Sequence, residues 1–340
     1  MSKQSGSLRR YILIRIALAI PMVLILLVMV FVLMRVAPGD PISASQGGKL
    51  NAAELAARKH AAGFDAPLYQ QFWDYLKSVV TLNFGTTFSD RRSVRDVIIE
   101  NGGATLTLTF GALVFATVIG IPVGLLAGRL RDSAVDVGGR LFGILSYAVP
   151  VTVAGPLLIL GFGDLVGDTG GQASPLVQLN VPTQTHILVV DAMIAGDWDA
   201  VSDIATHLLL PSIALGLIIV GVFIRMIRIN LIQSLQGDYI EAARARGVKE
   251  SAVVGRHAFR NAMVPVITVL GLQVAMLLSG AVLTEKIFNW PGIGRQLIDY
   301  ITQRDYVAVQ GIVTVFALVV VAISMLIDFV NALIDPRVRY

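Results

Sequence analysis

Few side chains in this 340-residue sequence are placed to do covalent chemistry. His60, His186, His207 and His257 are spread along the chain with no HExxH run and no i, i+4 pair, so no metal site is expected from them. Cysteine is absent, which removes a thiolate ligand, a cysteine nucleophile and a disulfide framework. No GxxxxGK[ST] run occurs, so the chain carries no phosphate loop of its own. What the spacing does support is electrostatic capping, in the run Gln236 to Gly247. Asp238 and Glu241 are expected at the N-cap and N3 positions, where two carboxylates satisfy the free amides of a helix start. Ala242, Ala243 and Ala245 favour helix and keep it slim. Arg244 and Arg246 fall at the negative end of its dipole, and Gly247 is expected as a left-handed C-cap. Such a self-capped helix of two or three turns is a rigid knob, able to sit in a groove on a partner. Tyr239 belongs to the same surface.

The elements holding this knob are membrane spans. The chain is 55% hydrophobic and only 15% charged, too little charge for the surface of a soluble domain of this size. An all-α polytopic protein with about six spans is expected, each needing about 20 mostly apolar residues. The candidates run from Tyr11 to Met34, Ala104 to Ala127, Arg140 to Val166, His207 to Ile224, Ala262 to Thr284 and Gly311 to Ile334. The first is too long for a signal-peptide core and is read as a retained helix. Three units follow: 1–36 with the first span, 37–103 as an outer helical cap, and 104–340 as a core of five spans. That core includes the basic loop 225–261.

Charge orients the spans. Arg129, Arg131 and Arg140 lie between the second and third, and seven Lys or Arg residues from Arg225 to Arg260 lie between the fourth and fifth. The stretch 167–206 has five aspartates and no Lys or Arg. Short basic loops stay cytoplasmic, so both termini are expected inside and the acidic stretch outside. In the cap, Pro38 to Pro41 should end the first helix, and Asn51, Glu54 and Gly63 should bound a short one. Asp65-Ala66-Pro67 should open a second with Leu68, Phe72, Leu76 and Val79 on one face, and Ser93 with Asp96 a third.

Gly120, Gly124 and Gly128, and likewise Gly271, Ala275 and Ser279, recur every fourth residue, a pattern that lets two helices approach closely in lipid. Pro122, Pro150, Pro156 and Pro211 can kink spans. Ionisable residues in mid-span are scarce, with Asp164 and Asp328 near span ends. Gln273, midway along the fifth span, is expected as an interhelical hydrogen-bonder or a pathway residue, and Ser146 and Tyr147 are further pathway candidates.

The run EAARARG at 241–247 resembles the EAA loop of ABC-importer permeases, with Glu241, Ala242, Ala243 and Gly247 matching. The general family places an apolar-x-Leu-Pro close after that glycine. Here the proline comes later, in RNAMVPV at 260–266, which is similar to the dipeptide/oligopeptide/nickel branch. RVAPGDP at 35–41, FDAPLYQQFWDYL at 64–76, LNFGTTF at 82–88, ATLTLT at 104–109 and GIPVGLLAG at 120–128 support that branch. So do RMIRINLIQSLQGDY at 225–239, FNWPGIGR at 288–295, RDYVAVQG at 304–311 and DPRVRY at 335–340. The long outer segment resembles the B-type subunit, and nearly the whole chain is covered. Two stretches depart from the branch, SYAVPVTVAGPLLIL at 146–160 and the segment 167–185, and both bear on cargo rather than family.

The resemblance implies the type I importer permease architecture and a pore-forming subunit in a bacterial inner membrane, importing peptides. A nickel complex or a glutathione-like compound is the alternative cargo. It implies a second related permease, two cytoplasmic ATPase subunits or domains docked at the EAA loop, an extracytoplasmic binding protein, and surrounding lipid. ATP and Mg would be used by those partners, with no cofactor, metal or nucleic acid held by this chain. A gradient-driven carrier is the competing class, disfavoured by the lack of buried ionisable pairs and of an inverted repeat. A membrane-embedded enzyme lacks clustered catalytic side chains.

Overall fold

The computed structural model describes residues 4–36, 65–167 and 169–334. The elements expected around Pro38–Pro41, Asn51, Glu54 and Gly63, and the tail 335–340, lie outside the described residues. Twelve labelled helices carry the described chain: α1 (Gln4–Val36), α2 (Leu68–Thr81), α3 (Val94–Arg129), α4 (Ala134–Ala148), α5 (Val151–Val166) and α6 (Pro175–Asn180). Then follow α7 (Leu188–Ala195), α8 (Trp198–Leu235), α9 (Asp238–Ala245), α10 (Phe259–Ile287), α11 (Ile293–Thr302) and α12 (Tyr306–Ile334). No named strand occurs among the described residues.

Four helices, α1, α3, α8 and α12, are long and apolar enough to cross a membrane, and the bent pair α4–α5 makes a fifth span if counted as one. At 29 residues, α10 covers the fifth expected span, Ala262 to Thr284, and is long enough to be the remaining one of the six. The fit to six is therefore approximate, and the boundaries move. The expected short helix at Ser93 does not stand alone: Ser93 is the N-cap of α3, which runs unbroken for 36 residues and crosses position 103. Its polar residues do not interrupt it, because Asn101 donates to the Val97 carbonyl and Thr107 to that of Gly103, both at 2.8 Å. The third expected span is not one rod. It breaks between Ala148 and Val151 with a bend of 108°. Pro150 supplies no amide hydrogen, and Val149 is held extended before it.

The core is the pairing of α3 with α8, which lie side by side in the same direction. Leu108, Ala112 and Ala116 of α3 pack with Leu215, Ile219 and Phe223 of α8, all essentially without exposure. The glycine stripe of α3 lies on this seam. A Cβ at Gly120 would sit 2.8 Å from that of Phe223, one at Gly124 2.9 Å from that of Ile227, and one at Gly128 2.9 Å from a Leu231 methyl. Four-residue steps on one helix thus meet four-residue steps on the other. A second close approach was not expected: α4 crosses α8 backbone to backbone at Gly143 and Gly221. Gly271, Ala275 and Ser279 lie on α10, but their surroundings fall outside the described residues.

In α2 the expected apolar face is partly displaced. Phe72, Leu76 and Val79 face α1, but Leu68 is 63% exposed. Tyr75 takes the inner place, stacking on Phe31 and sharing a 2.7 Å hydrogen bond with Thr314. At the other end of α1, Arg15 pairs with Asp328 of α12 at 3.0 Å. One end of the molecule therefore gathers Arg35, α2 and α11, and the other gathers Arg15, Asp328 and α9.

Candidate functional site

The stretch after α8 folds on local instructions. Gln236 and Gly237 turn the chain, and Gly237 is the N-cap of α9 in extended conformation. This moves the expected register by one: Asp238 is the first helical residue rather than the N-cap, and no side chain caps the start. The reason is steric. A Cβ at position 237 would lie 2.6 Å from the Tyr239 ring, so the bare glycine lets that ring fold back over the turn. Asp238 and Glu241 still occupy the first turn, where a carboxylate meets the positive end of the helix dipole.

The C-terminal end closes on a full Schellman arrangement. Val248 N–H donates to the Ala243 carbonyl at 3.2 Å and Gly247 N–H to that of Arg244 at 2.9 Å. Gly247 has φ +73°, the left-handed backbone that a β-carbon would strain. Arg244 then forks onto Glu250, Nε to Oε2 at 3.1 Å and NH2 to Oε1 at 2.7 Å. This pair holds the Glu250 carboxyl below its ordinary range.

One face of α9 is anchored and the other is free. Ile240 and Ala243, three residues apart, are buried against Leu231, Val253, Val254, Ala258 and Ala262. Val253–Ala258 form a π-helical turn that widens the entry into α10 and brings Val253, Val254 and Ala258 to this cluster. Tyr239, Glu241, Ala242, Arg244, Ala245, Arg246 and Gly247 are exposed. The result is a short, rigid, slim ridge with a carboxylate at one end and arginines at the other.

A cavity of about 710 Å³ opens between α4, α8 and α10. Tyr147 and Gln273 line it, along with Arg140, Arg225 and Arg228. Ser146 does not: it is buried and donates to the Phe142 carbonyl at 2.8 Å. Gln273 is 8% exposed and its Oε1 has no hydrogen-bond partner among the described residues, so among them it does not act as the expected interhelical bonder through that atom. At the cavity's edge stands a buried ion pair that sequence reading missed. Asp136, without exposure, accepts from Arg228 Nε at 2.5 Å and NH2 at 2.8 Å, and from the Asp132 N–H at 3.0 Å. Arg140 stands 3.5 Å from the same carboxylate. The expectation of no buried ionisable pair is thus overturned here, although the pair joins helix ends rather than mid-spans.

Polar residues at the far end of α3 were also missed. Glu285, fully buried, accepts from Thr105 Oγ1 at 2.6 Å and from the Arg295 N–H at 2.9 Å, so it caps the start of α11. Trp290 Nε1 donates to the Ala104 carbonyl at 2.8 Å. Buried Asp305 accepts from the amides of Phe88 at 2.6 Å and Ser89 at 2.9 Å. A faint signal existed in Glu285 standing before the turn-rich FNWPGIGR run.

Among the described residues no three of His, Asp and Glu gather as metal ligands. His60 lies outside the described residues, His186 and His257 are exposed, and His207 is buried on its own helix.

Residues 120–340 match the family of binding-protein-dependent transport system inner membrane components, and residues 8–109 match the N-terminal part of such membrane components. The di/tripeptide transport system permease protein DppB of Pseudomonas aeruginosa is 36% identical over 96% of this chain and 97% of its own length. The dipeptide transport system permease protein DppB of Escherichia coli K12 is 36% identical over 97% of this chain and 99% of its own. The glutathione transport system permease protein GsiC of Salmonella typhimurium LT2 is 34% identical over 97% and 99%.

Proposed function

The chain belongs to the binding-protein-dependent transport system inner membrane component family, and from that premise we propose that it imports short peptides as one half of an ATP-driven pore. It is a multi-pass inner-membrane permease subunit of an ABC transporter and not an enzyme. ATPase and binding-protein partners go with that family. The finer reading is ours: a second, related permease completes the pore, and two ATPase subunits or domains supply ATP and Mg chemistry, with no cofactor on this chain.

The observation that carries the reading is α9, closed at its C-terminal end, anchored through Ile240 and Ala243, and presenting Glu241, Ala242 and Ala245 outward. A ridge so held transmits a push instead of absorbing it. Closure of the ATPase pair around ATP would move α9, and with it α8 and α10, shifting the pore between inward-facing and outward-facing states. In this reading α9 and both termini lie in the cytoplasm, which the basic loops support, and the opposite end receives cargo from the extracytoplasmic binding protein. Peptides are the favoured cargo, with a glutathione-like compound or a nickel complex as alternatives.

The test is a mild-detergent pull-down of the tagged chain with partners counted by mass spectrometry. ATP-dependent uptake follows in proteoliposomes, with the binding protein supplied, using alanylalanine, trialanine, glutathione and a longer peptide. Recovery of a second permease and ATPase subunits, with uptake of at least one peptide, is expected. A chain that comes out alone and transports without ATP would replace this reading with a gradient-driven carrier.

A further inference from the structure

We infer that the cavity between α4, α8 and α10 is a peptide-binding station that reads both ends of a short zwitterionic cargo, with Gln273 and Arg225 as its specificity-determining residues. This deepens the peptide-importer reading and rests on it. The first support is Gln273. Gln273 lines the cavity, its Oε1 is buried without a donor among the described residues, and an unpaired buried acceptor costs stability unless something fills it. A peptide N–H or terminal ammonium is such a donor.

The second support is charge. Three arginines, Arg140, Arg225 and Arg228, line the cavity, and among the described residues Asp136 is the carboxylate within ion-pair distance of two of them. Asp136 is taken by Arg228 in a two-pronged pair and approached by Arg140. Arg225 is exposed and makes no ion pair among the described residues. Its guanidinium is therefore available to a carboxylate from outside the chain, in the fork geometry that arginine favours. The acceptor sits midway along α10 and the free cation near the docking-ridge part of α8. A bound peptide would point its amino end toward Gln273 and its carboxylate toward Arg225. A volume of 710 Å³ lies within the range of small-ligand sites, so the station suits short peptides. A phosphatidylglycerol headgroup would satisfy Arg225 with its phosphate but carries no ammonium for Gln273, which favours the zwitterionic peptide.

The experiment uses the assembled transporter in nanodiscs of neutral phospholipid and, in parallel, of the same lipid with added phosphatidylglycerol, without ATP or binding protein, and measures equilibrium binding of radiolabelled alanylalanine and of its C-terminal amide. Wild type should prefer the free acid. Arg225→Gln should weaken alanylalanine about tenfold and erase the preference over the amide, and Gln273→Leu should weaken both probes about equally. Arg225→Lys, keeping the charge, should restore most of the binding. Co-purification of the partner subunits and an unchanged melting temperature place any loss in the cavity rather than in folding. If wild type imports peptides but both variants bind alanylalanine as wild type does, the station is disproved and the importer reading stands. If an effect of Arg225→Gln arises only with anionic lipid, Arg225 belongs to a headgroup and the proposal falls. If no peptide is imported by wild type, the importer reading fails and takes this inference with it.

Discussion

The two ends of α3 are built on opposite plans. At its start, around Ala104 and Thr105, polar atoms are buried and aimed at backbone amides: Glu285 takes the Arg295 N–H, Asp305 takes those of Phe88 and Ser89, and Trp290 reaches the Ala104 carbonyl. At its finish, near Gly128 and Leu231, the neighbouring ridge α9 is anchored by two apolar side chains, and its charged groups face outward. Buried hydrogen-bonded carboxylates fix one geometry, because any departure strands a polar group away from water. Exposed charges impose no such penalty and stay available to a partner. One end is locked and the other is presented, as expected of a subunit that moves when pushed from one side.

The largest effect should come from unlocking the first end. Glu285→Ala strands the Arg295 N–H and the Thr105 hydroxyl and should cost about 2–4 kcal/mol, read as a fall in melting temperature and in the lifetime of the detergent-extracted complex. An unchanged melting temperature would break the contrast. Next comes Gly124→Leu on the α3–α8 seam, where even a Cβ would lie 2.9 Å from Ile227. Overpacking there should cost about 1–3 kcal/mol or block assembly, seen by size-exclusion chromatography. At the presented end the effect should be on coupling. Glu241→Lys reverses the charge at the start of α9 and should lower ATP-dependent uptake about tenfold with no change in melting temperature; undiminished uptake would remove the coupling role. The smallest effect is expected from Arg244→Gln. Its pair with Glu250 is exposed on both sides, so uptake should stay within about twofold of wild type.

What could be read from the sequence followed the range of the interactions. The ridge α9 was legible because its caps, alanines and C-terminal glycine act within a dozen residues; only the register of its start was off, since the Tyr239 ring over Gly237 is a packing detail. The glycine stripe was legible as a periodicity, though its partners Phe223, Ile227 and Leu231 were not. Glu285 and Thr105 are 180 residues apart, and Asp136 and Arg228 are 92 apart. No local pattern announces such pairs, and only the folded topology brings them together. Pro150 marked a kink, but the 108° turn depends on how α4 and α5 pack on their neighbours.

The length of α8 has a mechanical consequence. At 38 residues it extends roughly 57 Å, nearly twice the hydrocarbon thickness of a bilayer, in a single piece from the locked end to the ridge. It is a lever whose short arm is gripped by α9. With a fulcrum at the tight Gly143–Gly221 crossing, a tilt of about 5° would swing the 24 residues from Trp198 to Gly221 by roughly 3 Å at their far tip. A modest stroke delivered at one membrane surface thereby arrives at the other through one continuous helix, whose backbone ladder loses an amide donor at Pro211.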